Sequence, residues 1–437
     1  MKYAVLKALA TKLQNEKKLN RVSRVADSVL KVEFSRDETY FFDLTRGHNF
    51  IFKNEKTAPK EYKAPFDAAL SKYFSKCDID GIELSGSDKI IFIRASSKLG
   101  YKEQKTALIL ELTGKSANAV ITDDKGVIIS ALRYETSGVR DLRIGQTYAA
   151  PPPPPFAFSD IDVGDVDEYL ENMLSQKQKN RLDNLKNQKI AQIDKKIEKL
   201  EELLATFEEP GDLVQKSDEA LKIGDLLCAN AHLVTPHQKS VTLKDFDGAD
   251  TTVELPDFRS QKEILNFFYQ KAKKLRRKAD GIYKEKESVG ERLSFLKAQR
   301  SAVASAADED GVRLFTQRQK GAEKRDEASD IFEVFYKDYK ISTGKNRKGN
   351  EKLLKLARSN DFWFHIKDLP SAHTILHTDK QKVPNDVILF AAKMCVELSV
   401  SQSGSYAVDY AKRRDVSPVE GANVNYVNYK TLTVKKE

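Results

Sequence analysis

A chain of 437 residues exceeds what one hydrophobic core usually serves, so two to four structural units are expected. Hydrophobic residues make up 40% and charged residues 32%, with a formal net charge of +9; the charge excess points to long exposed helices and the sign suits a polyanion such as nucleic acid. The three scattered cysteines Cys77, Cys228 and Cys395 exclude a disulfide framework, the opening residues lack signal-peptide form, and no apolar run approaches a membrane span, so a cytoplasmic protein without a membrane partner is expected.

In chain order, residues 3–15 space Tyr3, Leu6, Leu9, Ala10 and Leu13 as one amphipathic helix. From Asn20 the pattern changes to alternation in RVSRVADSVLKVEFS, TYFFDLTRG and FIFKN, which reads as antiparallel strands. Residues 64–77 return to helical spacing. GSDKIIFIRAS, TALILELT, ANAVITDD and GVIISALRYET are again strands, with Asp123 to Gly126 as a hairpin turn. Residues 1–155 are thus a β-rich domain edged by two helices and closed by Pro151 to Pro155. Those prolines fix φ and remove donors, which suits a stiff spacer or an edge wrap; a proline-rich ligand is the third reading.

From about Gln176, Leu182, Leu185, Ile190, Ile193, Ile197, Leu200, Leu204 and Phe207 recur every three or four residues, one arm of a coiled coil stopped by Pro210 and Gly211. Ile264, Phe268, Leu275, Ile282, Val289, Leu293 and Leu296 mark a second arm over 261–304, so 156–310 reads as an antiparallel helical hairpin. Its insertion at about 211–260 holds one helix and the β-hairpin SVTLKDF/TTVELP, and is expected at the far tip. Between Gln261 and Lys297, eleven Lys and Arg stand against five Asp and Glu, a local +6. Lys271, Lys273, Lys274, Arg276 and Arg277 supply much of it, either as a solvated coiled-coil face or as a rod lying along RNA phosphates. Residues 301–312, small and acidic, read as a hinge.

Residues 329–437 read as an α+β domain: two short strands in SDIFEVFYKDYKIST, a helix and strand in 344–377, strand HTILHT, the helix VPNDVILFAAKMCVELS, and closing strands. The stretch GKNRKGNEKLLKLARSNDFWFHIKDLPSAHTILH (344–377) is the most distinctive of the chain. Its Lys and Arg suit phosphates and its Asn side chains suit base edges, although a solvated basic turn leading into a core strand is the plainer reading. No Walker loop, GxSxG, HExxH or dinucleotide fingerprint occurs, so no catalytic residue, metal or cofactor is expected. His365, His373 and His377 have no cysteine near them to complete a zinc set, and are expected to shape the loop by hydrogen bonding.

These residues resemble the NFACT family, the RqcH-, NEMF- and fibronectin-binding protein A-like proteins. GKNRKGNEKLLKLA (344–357), DFWFHIKDLPSAH (361–373), AAKMC (391–395) and VDYAKRRDVSPVEGANVNYVNYKTL are similar to the NFACT-R domain. APFDAALSKYFSK (64–76), GSDKIIFI (86–93), LELTGKSANAVI (110–121) and IGQTYAAPPP (144–153) resemble NFACT-N, and GDLLCANAHLV with NFFYQKAKKL resembles the middle region. The resemblance covers nearly the whole chain and implies an α+β multidomain protein: a β-rich N-terminal domain, a long antiparallel coiled coil and an α+β RNA-binding domain. It further implies a non-enzymatic ribosome quality control factor that binds obstructed large ribosomal subunits, rRNA and tRNA, and promotes untemplated C-terminal alanine tailing.

On this resemblance the tRNA-contacting Asp-Arg pair falls on Asp88 and Lys89, where lysine lacks the planar arginine fork. Lys115 and Asn118 join them as N-terminal RNA contacts. Lys345, Asn346, Lys348 and Asn350 are the expected RNA-facing groups of the last domain, with Trp363, His365 and His373 completing the site as its scaffold. The five basic residues of the second arm would face the ribosome. Two further departures stand out: about twenty residues (156–175) occupy the place of the family's helix–hairpin–helix module, and Pro-Ser-Ala-His at 370–373 replaces Pro-Gly-Ser-His. The alternative implied by the family's older name is a surface adhesin that binds fibronectin, against which the absence of signal-peptide form counts.

Overall fold

The computed structural model describes all residues except 36–37, 54–59, 87, 100–101, 137–139, 156–157, 160, 247, 317–329, 420 and 437. The expected start of the last domain at 329 therefore lies outside the described residues. The chain forms two compact units, Met1–Arg181 and Leu182–Glu437.

In the first unit, α1 (Tyr3–Leu13) precedes strands β1 (Lys18–Ala26), β2 (Val29–Phe34), β3 (Thr39–Asp43) and β4 (Phe50–Phe52). Helix α2 (Pro65–Tyr73) is followed by β5 (Ser75–Leu84), β6 (Ile90–Leu99), β7 (Lys102–Glu111), β8 (Asn118–Asp123) and β9 (Ile128–Ala131). All nine strands join one antiparallel sheet in the order β4-β3-β2-β1-β5-β6-β7-β8-β9. Val5, Leu9 and Leu13 of α1 and Phe66 and Leu70 of α2 bury against alternate strand residues such as Leu19, Ile91 and Leu108. Ile90, Ile109 and Val120 bury on the opposite face. The unbroken run Ile90–Ile93 follows from this, since a strand covered on both faces needs no polar alternation.

Two expectations change here. Helix α2 ends at Tyr73 rather than 77, and the next residues form β5, which was not anticipated. Its alternation is disguised by Asp78, Asp80 and Gly81 and by a register shift between Ile79 and Gly81. The expected turn at Asp123–Gly126 is present: Asp123 accepts from Lys125 N–H and Val127 N–H, and Gly126 adopts φ +78°. The first unit also runs past Pro155. Val166 and Leu170, in the first turns of α3 (Val166–Thr206), are buried in its core, and the carboxylate of Asp167 is held by Lys12, Lys53 and Tyr40.

In the second unit, α3 is followed by α4 (Pro210–Ala229), the hairpin β10 (Ser240–Lys244)/β11 (Asp250–Glu254), the 45-residue α5 (Gln261–Ser305) and α6 (Glu309–Thr316). Pro210 starts α4 instead of merely stopping α3, because the first helical turn needs no N–H from it. The first arm thus ends before Pro210 as expected, and α4 is the helix expected in the insertion. Helix α4 packs beside the N-terminal half of α5, with Ser217 Oγ donating to Ala272 O at 2.8 Å. Helix α3 pairs with the other half through Arg300–Asp194 and Lys297–Glu201. The β10–β11 hairpin closes a small core with Leu226, Leu227, Ile264 and Phe268. Residues 301–312 are not a free hinge, since Ala302, Val303, Ala306 and Val312 are buried in a core shared with the last sheet.

That sheet contains β12 (Ile331–Tyr336), β13 (Tyr339–Gly344), β14 (Phe362–Ile366), β15 (Thr374–His377), β16 (Gly404–Lys412) and, after the two-stranded β17 (Val416–Pro418)/β18 (Val424–Tyr426), β19 (Lys430–Lys436). The order β12-β13-β15-β14-β16-β19 is antiparallel throughout. Helix α8 (Asn385–Ser399) and the end of α5 cover one face through Val387, Ala391, Val396 and Val303. Helix α7 (Arg347–Leu356) and the β17–β18 ribbon cover the other through Leu353, Leu354 and Val416, which surround Trp363 and Ile375.

Candidate nucleic-acid interface

The motif GKNRKGN at 344–350 first of all knits the fold. Asn346 caps α7, its Oδ1 accepting from Gly349 N–H at 2.8 Å, while its Nδ2 donates to Asp330 Oδ1 at 2.9 Å. Asn350 Oδ1 accepts from His373 N–H at 3.0 Å, tying α7 to the start of β15. Both glycines are required by close approach: a Cβ on Gly344 would strike the Asn350 amide, and one on Gly349 would strike the Asp330 carbonyl. The Arg347 N–H donates at 2.6 Å to Glu291 Oε2 of α5, whose carboxyl burial pushes upward in pKa. Two N–H groups of the first turn of α7 are thereby satisfied from within the protein.

What remains for solvent is a row of cations. Lys348, Lys352 and Lys355 are exposed at spacings of four and three, on the face opposite buried Leu353 and Leu354. Among the described residues none of the three has an ion-pair partner. Arg347 extends the row, packing its guanidinium against Gly421, where φ is +61° and a Cβ would collide. Lys355 lines a shallow cleft of about 240 Å³ with Arg413, Glu351 and Leu354. Unpaired lysines along a rigid helix face suit phosphate oxygens.

Beneath α7, strand pairing sets His365, Asp409 and Thr431 in one row across three strands, and the His373 ring, just before β15, lies 5.3 Å from that of His365. Trp363, fully buried, stacks on His365 with ring centroids 5.6 Å apart and meets His373 edge-on at 5.5 Å. Burial lowers the pKa of His365; burial, and then the neighbouring His365, brings His373 down to about 3, so both rings are neutral near pH 7. Asp409 accepts from Tyr426 OH at 2.9 Å and from Thr431 Oγ1 at 2.6 Å. Nearby, His377 bridges Ser342 Oγ (2.9 Å) and Asp361 Oδ2 (3.1 Å). This is the connectivity of a nucleophile–base–acid triad, but Ser342 is 0% exposed in mid-strand, so the chain serves as a cross-strand tie.

Several expected contact residues are therefore corrected. Asn346 and Asn350 are buried, the first spending its amide and the second its Oδ1 inside the fold; Trp363 and His373, expected as scaffold, are buried as well. Asn118 is buried as well, donating to Arg133 O and accepting from the N–H groups of Ala119 and Arg133. Asp88, also buried, accepts from Lys89 N–H at 2.7 Å and shapes the turn before β6. The side chains of Asn346, Asn350, Asn118 and Asp88 hold backbone groups of the fold, and those edges are not turned to a ligand. Lys348 and Lys115 are exposed, Lys345 and His365 are half-buried, and Lys89 lies partly exposed with its ammonium 5.5 Å from the Phe158 ring. On α5, Lys271, Lys273, Lys274, Arg276 and Arg277 are all exposed, and among the described residues Arg276 alone of the five has an ion-pair partner, Asp218 at 3.7 Å.

The structure brings the seven residues of 345–373 together at the N-terminal end of α7, and sets Lys89 and Lys115 at one end of β6–β8 in the first unit. Lys352 and Lys355 were overlooked although their helical spacing from Lys348 was readable. Asp409, Tyr426 and Glu291 depend on strand register and helix docking, for which the sequence carries no local signal. Among the described residues no group of three or more His, Cys, Asp and Glu is placed to hold a metal ion, and no helix is long and apolar enough to cross a membrane.

Comparison with known proteins adds to this geometry. The family model described as NFACT N-terminal and middle domains matches residues 4–178 and 166–317, and that of the NFACT protein RNA binding domain matches 331–424. A relative named Rqc2 homolog RqcH, from Bacillus subtilis (strain 168), is 24% identical over 251 residues, 54% of this chain and 42% of its own. The chain thus matches less than half the length of that relative. The protein of the same name from Streptococcus pneumoniae serotype 2 is 21% identical over 467 residues, 84% of each chain. The N-terminal domain of the fibronectin-binding protein PavA from Streptococcus pneumoniae shares 18% identity over 60% of this chain and 97% of that one, with a TM-score of 0.32, too low to carry an argument. Matched by both family models over most of its length, the chain belongs to the NFACT family.

Proposed function

We propose that this protein is a ribosome-associated quality control factor of the cytoplasm that binds obstructed large ribosomal subunits and tRNA, and that it works by binding and not by catalysis. The observation that carries this reading is the unpaired lysine face of α7, built on a domain that matches the family's RNA-binding model. Relatives named Rqc2 homolog RqcH support the quality control role. The exposed Lys271–Arg277 segment lies fourteen or more residues along α5 from Glu291, about 20–30 Å at the rise of an α-helix. A second set of rRNA phosphates could be met at that distance.

In the first unit, Lys89 is the proposed tRNA contact and Asp88 its positioning residue, with Lys115 beside them. Promotion of untemplated alanine tailing is the further step, in which the ribosome supplies the chemistry. The test is sedimentation of the full chain with purified large subunits carrying peptidyl-tRNA through sucrose gradients. Co-migration that weakens steeply with salt is expected. Migration solely in the free-protein fractions at low salt would refute the reading. Lys89→Ala should lower recovered tRNA while leaving subunit binding intact.

A further inference from the structure

The ribbon β17–β18 and the turn after it carry a second set of groups on the α7 side of the sheet. The sequence there, NVNYVNYK (423–430), alternates amides and aromatics. Tyr426 is locked in place: its hydroxyl donates to buried Asp409, and its ring lies 4.8 Å from Trp363. Tyr429 stands perpendicular to Tyr426 at 5.1 Å and remains 47% exposed, beside Val427 at 60%. The turn between them is held by Val427 N–H donating to Asp415 O at 3.0 Å and by Asn428, at φ +54°, donating from Nδ2 to Asp415 Oδ1 at 3.2 Å. Asn423, Asn425 and Lys430 are exposed around it, and Gly421 of the same ribbon touches Arg347 at the head of the lysine row.

We propose that Tyr429 is the stacking seat for one unpaired RNA base, with the Asn425 amide and Lys430 ammonium beside it and the α7 lysines holding the flanking phosphates. This rests on the RNA-binding reading above and names the form of RNA it takes: a single-stranded or flipped-out nucleotide. An exposed aromatic ring set against a half-buried, hydrogen-bonded tyrosine gives stacking at little entropic cost, and a ring face accepts any base. A helical duplex keeps its bases stacked inside and has nothing to offer the ring. The two exposed apolar side chains, ringed by asparagines and a lysine, form a smaller and more polar patch than a protein hot spot requires.

The test compares a short single-stranded RNA with a duplex of equal length, each titrated against the full chain by fluorescence anisotropy at one salt concentration. Tyr429→Ala is expected to weaken single-strand binding roughly 5- to 150-fold, the range of losing one stacked base, and to leave duplex binding unchanged. Tyr429→Phe should bind like the natural chain, because the ring and not the hydroxyl carries the contact. Unaltered Trp363 emission serves as the control for folding. Equal loss on both probes, no loss on either, or Phe as weak as Ala overturns the proposal while the RNA-binding reading stands. If the natural chain binds neither RNA, both readings fall together.

Discussion

Asn346 separates a structural reading of the GKNRKGN motif from a ligand-binding one. Its Oδ1 caps α7 through Gly349 N–H at 2.8 Å and its Nδ2 donates to Asp330 Oδ1 at 2.9 Å, both inside the protein. Asn346→Ala removes an N-cap, about 1 kcal/mol, and a hydrogen bond to a charged acceptor, about 1.5–3 kcal/mol, for a total of about 2–4 kcal/mol. Asn346→Ser restores a capping oxygen but no donor for Asp330, and should recover about 1 kcal/mol. Asn346→Asp also keeps the cap, yet sets a second carboxylate against Asp330, and should fall below the serine variant at neutral pH. Urea unfolding followed by the fluorescence of Trp363, the only tryptophan, reports on this sheet directly. The stability order expected is Asn, then Ser, then Asp and Ala. If Asn346→Ala were as stable as the natural chain yet bound RNA more weakly, the amide would face the ligand and the fold-knitting account would be refuted.

Three other outcomes follow from burial and pairing. His373, with a pKa near 3 in the fold against 6.5 when free, takes up its proton on unfolding, so the stability it allows is complete above about pH 6.5 and drains away as pH falls towards 3. Between about pH 6 and pH 5 the loss should be about 1 kcal/mol in urea melts read by Trp363, and His373→Leu should flatten it. Cys228 is exposed, whereas burial pushes the thiols of Cys77 and Cys395 up to about 11 and about 12, so a thiol reagent should titrate one cysteine quickly in the native chain and all three in urea. Lys436 Nζ donates to Glu397 Oε2 at 2.7 Å in a buried pair; Lys436→Ala should cost about 3–5 kcal/mol by stranding the carboxylate, and adding Glu397→Leu should recover most of it.

Periodicity made most elements legible. The second coiled-coil arm was expected over 261–304 and spans Gln261–Ser305, because 45 residues of apolar stripe leave little ambiguity. Strand β5 escaped because its paired carboxylates and glycine imitate a loop, and only its neighbours' register reveals it. The docking of α4 along α5 escaped because a proline that ends one helix and starts the next says nothing of what the next helix packs on. At the candidate site the residue types were readable but their direction was not. Asn346 and Asn350 look like base-reading amides until Gly344 and Gly349 are seen to admit them to the interior, whereas Lys348, Lys352 and Lys355 face solvent. Charge proved a better guide to the surface than hydrogen-bonding capacity, since an amide can be satisfied by backbone and an unpaired ammonium cannot be buried cheaply.

Whether the α7 lysine face meets RNA is the central question. Binding of the full chain to large ribosomal subunits, measured across a salt series for the natural sequence and for Lys348→Ala/Lys352→Ala/Lys355→Ala, tests it most directly. Loss of three phosphate contacts should weaken binding at low salt and shallow the slope of log affinity against log salt by about 2–3. An identical slope and affinity in the two proteins would contradict it.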